Sequence, residues 1–220
     1  MKNKIIIIML LTLSVILTGC TNKKAIEFKE NYESLNNTSY HGTKRRTVKI
    51  SGKNVFEMTT QKEIEKKIKN KETFYLYIGD NKCPWCRSSI EKADEISRKN
   101  DIKKIYYIHI WDKDYNEIFR DKYSLDDEGN LSKVNDGTSS YKYMLKVFES
   151  KLENYSLTDV NGNKKEVGEK RIYAPNYFYI ENGKLKRFTD ASSDKQTDPN
   201  EKLTKEILKD QEDKLNKFFK

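Results

Sequence analysis

One stretch restricts the fold more than any other. Over residues 73–110 an aromatic, β-rich run ends in glycine, a cysteine pair follows, and an amphipathic pattern leads to a second β-rich run. Thr73 to Ile78 (TFYLYI) reads as a buried strand stopping at Gly79. After the loop Asp80-Asn81-Lys82 comes Cys83-Pro84-Trp85-Cys86. The spacing of Cys86, Ile90, Ala93 and Ile96 then predicts a helix to about Lys99 with those side chains inward. Ile105 to Ile110 (IYYIHI) is the second strand. Such a unit is expected to place its strands parallel, joined by a right-handed crossover, which makes this an α/β chain.

Other segments build around that unit. Thr60 and Glu63 form a capping box for a helix reaching about Lys71. Asn176 to Glu181 (NYFYIE) reads as a strand, Asn182-Gly183 as a type I′ turn, and Lys184 to Phe188 as the hairpin partner. A closing helix is expected from Asp198-Pro199, with Glu201 at its third position and Leu203, Ile207, Gln211, Leu215 and Phe218 on one face. Residues 112–170 read as a helical insertion. Tyr115, Ile118, Phe119 and Tyr123 suit a short helix, and Tyr141, Leu145, Phe148 and Leu152 a longer one. Asp126 to Thr138 reads as the loop between them, and Asn161-Gly162 as the turn of a small hairpin. No internal repeat is visible.

The N-terminus sets the compartment. Lys2 and Lys4 precede an apolar run, Ile5 to Leu17, too short to span a bilayer comfortably, and Leu17-Thr18-Gly19-Cys20 has the form of a lipobox. Residues 1–19 are expected to be a lipoprotein signal peptide, and residues 20–45 a lipidated N-terminus and tether. Within the tether Phe28, Tyr32 and Leu35 fall on one face of a short helix, and Asn36–Thr43 reads as loop. The folded domain is expected over 46–220, on the extracellular face of the cell membrane. The charge of +9 is mostly Lys interleaved with Asp and Glu, which suits loose attraction to an anionic surface and gives no support to nucleic-acid binding.

The chain has three cysteines. With Cys20 taken by lipid, Cys83 and Cys86 remain for chemistry. Disulfide exchange needs a thiolate, and Cys83 falls at a helix N-cap, where unpaired N–H groups and the macrodipole favour an anion. Pro84 suits the first helical turn because it needs no N–H there. Cys83 is therefore expected to be the attacking nucleophile and Cys86, facing inward, the resolving thiol. A zinc site would have to recruit His41, His109 or carboxylates, with no second Cys-x-x-Cys. A structural disulfide here would close a minimal loop and constrain the unfolded chain little. Trp85 sits where it can contact a substrate or pack on a neighbouring loop. His109, in a strand, reads as a core or edge histidine. There is no Gly-rich phosphate loop, so no cofactor is expected.

The order of strand, CPWC, helix, strand, then Ala174-Pro175, strand, Asn-Gly turn, strand and helix resembles the thioredoxin superfamily over roughly residues 55–110 and 172–220. With the lipobox and the stretch IYAPNYFYIENGKL, the chain is similar to exported Gram-positive thioredoxin-like lipoproteins, including the bacteriocin transport accessory type. The resemblance implies a central mixed sheet flanked by helices, a redox-active Cys83–Cys86 pair, and a cis peptide at Pro175 facing it. It also implies a groove where the backbone of Ala174 pairs with extended substrate, beside Trp85 and Pro84. The partners implied are protein or peptide thiols and disulfides and a membrane redox partner. An alternative is a non-catalytic, chaperone-like accessory lipoprotein whose cysteines form a structural bridge. The chain departs from the family at Tyr77, where thioredoxin carries a buried acid. The nearest acid, Asp80, reads as a capping or solvated loop residue.

Overall fold

The computed structural model describes residues 23–110 and 119–220. Cys20 with the expected signal run, and Tyr115 and Ile118 of the expected insert helix, lie outside the described residues. In chain order the first half holds α1 (Lys23–Glu33), short β1 (Ser39–Tyr40) and β2 (Thr43–Lys44), β3 (Phe56–Met58), α2 (Gln61–Lys69), β4 (Phe74–Gly79), α3 (Pro84–Lys99) and β5 (Ile105–His109). A middle section adds β6 (Lys122–Leu125), β7 (Leu131–Asn135), α4 (Ser139–Phe148), β8 (Glu153–Thr158) and β9 (Lys164–Arg171). The chain closes with β10 (Asn176–Glu181), β11 (Lys184–Thr189) and α5 (Lys205–Phe219).

Five strands make one mixed sheet in the order β11-β10-β4-β5-β3. β5 runs parallel to β3 and β4, and β10 antiparallel to β4 and β11. Alternation along β4 sends Tyr75 and Tyr77 to one face and Phe74, Leu76 and Ile78 to the other. On the first face they meet Phe28 and Tyr32 of α1, Cys86, Ile90, Ala93 and Ile96 of α3, and Leu215 and Phe218 of α5. On the second they meet Ile64 and Ile68 of α2 and Met144 and Phe148 of α4. The protein is thus a mixed α/β fold with helices on both faces of the sheet.

Local signals placed most scaffold elements. Thr60 Oγ1 accepts from the Glu63 N–H at 3.2 Å and Glu63 Oε2 accepts from the Thr60 N–H at 3.1 Å, closing the expected capping box. Asn182 and Gly183 both take positive φ, 51° and 72°, as a type I′ turn requires.

Four expectations are corrected. The middle section is not a helical insertion: Tyr123 lies in β6, and the stretch read as loop contains β7, so two hairpins accompany one helix. Asp126 Oδ1 accepts from the N–H groups of Glu128 and Asn130, shaping a tight turn at Gly129 that lets the polar strands pair. The helix expected through Leu152 ends at Phe148 and is followed by a single 3₁₀ turn, Glu149–Lys151. The closing helix begins at Lys205. Thr204 is its N-cap, with Oγ1 accepting from the Ile207 N–H at 3.3 Å, whereas Glu201 accepts from the N–H groups of Thr197 and Asp198 and closes only a turn. Finally, α1 belongs to the folded body, since Ala25, Phe28 and Tyr32 are fully buried.

Arg87 explains why the N-terminal segment is held there. One turn into α3, its buried guanidinium donates to the carbonyls of Arg46 (2.8 Å), Tyr32 (2.9 Å) and Asn81 (3.0 Å) and to Asn36 Oδ1 (2.7 Å). A single cation thus ties α1, the segment after β2 and the loop before Cys83 to one helix. Such bonds to a charged donor are the stronger class.

Candidate functional site

β4 ends at Gly79, and the chain turns through Asp80-Asn81-Lys82 into α3. The Cys83 N–H donates to the Asp80 carbonyl at 3.3 Å, which tightens the turn. Cys83 is the N-cap residue with φ −65° and ψ 120°, and Pro84 opens the helix. The Cys86 N–H donates to Cys83 Sγ at 3.3 Å, so the sulfur occupies the place of the usual capping oxygen.

The two thiols, both free, have opposite environments. Cys83 is half-buried and Cys86 is 0% exposed. The Cys86 side chain, followed by the amides of Cys86 and Trp85, stabilises the Cys83 thiolate and lowers its pKa against burial and the Asp80 charge. Burial pushes the Cys86 thiol well up, and its hydrogen bond and charge interaction with Cys83 push it further. Cys83 is therefore the thiol that ionises, and Cys86 stays protonated.

The peptide bond Ala174-Pro175 is cis, as expected, and opens β10 beside the cysteine pair. Cys83 Sγ donates to the Ala174 carbonyl at 3.5 Å. Two clefts meet at this point. One, of about 730 Å³, is lined by Cys83, Pro84, Ala174 and a set of basic side chains. The other, of about 500 Å³, is lined by Trp85, Ala174 and Pro175. Pro84 is exposed and Trp85 half-buried, so every expected contact residue lies along one of these clefts.

Below Cys86 is a floor the sequence reading missed. Tyr77 lies opposite Tyr107 on β5 and Tyr177 on β10, and its ring stacks on both, at 5.3 and 4.4 Å between centroids. Tyr32 from α1 completes the group, with its hydroxyl 2.7 Å from that of Tyr77. Burial raises all four hydroxyls well above the usual tyrosine range, so they stay neutral. The Tyr77 hydroxyl also favours the ionised Cys86 and offsets part of its raised pKa. Gly79 makes this possible, because a Cβ there would overlap Cζ and Oη of Tyr77. The visible signal was Tyr-x-Gly on a strand that leads into a cysteine pair.

Asp80 does not cap α3, whose N-cap is Cys83; its Oδ1 accepts from the Lys82 N–H at 2.8 Å within the loop. It is also only 5% exposed, and lies 3.4 Å from His109 Nε2. The same His109 nitrogen is 3.2 Å from Asn81 Oδ1, so this histidine is a satisfied member of the loop's support. Among the described residues no three His, Cys, Asp or Glu side chains gather as a metal site. The chain matches no protein-family model, and no curated protein matches it.

Proposed function

We propose that the protein is a thiol–disulfide oxidoreductase of the thioredoxin superfamily that acts on disulfides of exported proteins or peptides from the outer face of the cell membrane. The observation that carries this reading is the division between the two thiols: Cys83 is reachable and favoured as thiolate, and Cys86 is buried and protonated one turn along the same helix. The strand order β11-β10-β4-β5-β3 and the cis Pro175 opening β10 support the family. Lipid anchoring through Cys20 rests on the sequence of residues 1–20. Among the described residues no helix is long and apolar enough to cross a membrane.

The chemistry is a two-step exchange. The Cys83 thiolate attacks one sulfur of a substrate disulfide, forming a Cys83–substrate bond as the substrate's own S–S bond breaks. The departing sulfur leaves as a thiolate and takes a proton. Cys86 then loses its proton and attacks Cys83 Sγ, forming the Cys83–Cys86 disulfide and releasing the second substrate thiol. Two electrons pass to the substrate, and a membrane dithiol partner supplies the two that restore the pair. In reverse the same steps oxidise a dithiol.

Two variants test the roles. Cys83→Ala is expected to abolish reduction of a test disulfide, and Cys86→Ala to accumulate mixed disulfides visible on non-reducing gels. Exchange at the original rate by Cys83→Ala protein would overturn the proposal.

A further inference from the structure

The cleft beside Cys83 has an unusual charge. The chain contains seven arginines, and four of them, Arg45, Arg46, Arg87 and Arg120, line this one cleft together with Lys44 and Lys82. Asp80 is the one carboxylate among its described lining residues. Arg87 is spent on structure, as described above. The run Lys44-Arg45-Arg46 is different. Arg45 rests its guanidinium over the Tyr40 ring at 5.2 Å, and its Nε has no hydrogen-bond partner. Arg46 donates from Nη2 to the carbonyls of Pro199 and Glu201, while its Nε has no partner. Lys44 is exposed. Among the described residues none of the three forms an ion pair within 4 Å, and of the three it is Arg46 that has carboxylates in electrostatic reach, Glu91, Asp198 and Glu201. Part of the basic surface elsewhere is matched locally, as in Lys29–Glu33, Lys92–Glu95 and Lys209–Asp213 along single helices; what sets this run apart is its place beside Cys83.

Guanidinium groups bind carboxylates through paired, charge-assisted hydrogen bonds. Cations left unmatched beside a nucleophile select what approaches it. The second cleft, across Ala174, differs, with Glu153, Asp190 and Asp194 against Lys151. Tyr173 and Ala174 line both clefts, so a ligand lying over Cys83 and extending into both is a length of polypeptide.

Building on the exchange reading above, we infer that the substrate is a polypeptide carrying Asp or Glu close to its exchanging cysteine, and that Lys44 and Arg45 hold those carboxylates on the Cys83 side. Electrostatic attraction raises the encounter rate and fixes which side of the cysteine enters the basic cleft.

The test separates this from the redox chemistry. Full-length protein with Cys83→Ser and Cys86→Ser is titrated with two fluorescent peptides, each with a central S-methylcysteine, one flanked by Asp and Glu and the other by Ser and Asn. The acidic peptide is expected to bind at least about tenfold more tightly at low salt, with the advantage falling as salt screens it. Adding Lys44→Gln and Arg45→Gln should remove the preference. Removing the same charge as Lys103→Gln and Lys209→Gln should leave it. Equal affinity for the two peptides, or equal loss in both charge variants, would overturn the inference. So would displacement of the acidic peptide by millimolar inorganic phosphate or by phosphatidylglycerol vesicles. Because this assay reads binding with both thiols removed, failed exchange by the wild-type protein counts against the redox reading alone.

Discussion

The regions on either side of the cysteine pair differ in almost every physical respect. Beneath Cys86 lies a floor of four tyrosines from three strands and α1, fully buried and neutral. Beside Cys83 lies an open cleft lined by arginine and lysine. Two identical side chains three positions apart thus acquire opposite tendencies to ionise. The asymmetry of this Cys-x-x-Cys pair comes from what each sulfur faces, through burial and hydrogen bonding, more than from the motif itself.

The largest effect expected is in alkylation of the reduced protein. Iodoacetamide should modify Cys83 and leave Cys86 intact until the protein unfolds. Because the folded pKa of Cys83 is depressed, its rate should rise with pH through a midpoint below that of an unperturbed thiol. Peptide mapping with a pH series checks this, and modification of both cysteines at equal rates in the native state would refute the asymmetry of the two thiols.

Next, Gly79→Ala attacks the floor. The added methyl group meets the Tyr77 ring, and overpacking of this kind costs about 1–3 kcal/mol. Urea denaturation should show that loss, and Gly79→Ala/Tyr77→Leu should recover part of it.

Tyr77→Phe removes one hydroxyl from the Tyr32 pair, leaving a buried polar group without its partner at a cost of about 1–3 kcal/mol. The double variant Tyr32→Phe/Tyr77→Phe should cost less than the sum of the single changes, because neither hydroxyl is left alone. Tyr77→Phe should also raise the Cys86 pKa further and, in the proposed exchange, slow the resolving step with attack by Cys83 unchanged. Single-turnover kinetics separates the two steps.

The smallest effect belongs to Asp80→Asn. Asparagine keeps an acceptor for the Lys82 N–H and removes the charge that opposes the Cys83 thiolate. The alkylation midpoint of Cys83 should move further down. An upward move would show that the Asp80 charge does not act on Cys83 as described.

The scaffold was readable where a local signal coincides with burial. TFYLYI, the capping box at Thr60 and Glu63, the Cys86-Ile90-Ala93-Ile96 stripe and the Asn182-Gly183 turn each carry their own short-range instruction. The middle section departs from its expected helical form because β6 and β7 are largely solvated: β7 has no buried position, so no period of two marks it. The start of α5 differs from the expectation because two candidate N-caps, Asp198 and Thr204, stand six positions apart. Glu201 and Thr204 both find backbone partners, and helix packing decides which begins the helix.

The cysteine pair, its place at a helix start, the α/β pattern around it and Pro175 ahead of a strand are all written in the local sequence. These depend on neighbours a few residues apart, where spacing maps directly onto geometry. Only the tertiary structure decided what the two sulfurs face. Tyr77, Tyr107 and Tyr177 become one floor through strand register, and Arg45, Arg46 and Arg120 reach one cleft across long sequence separations. Contacts of that kind depend on how distant segments pack, and no local pattern encodes them. The motif places two thiols on one turn of helix, and the fold makes them unequal.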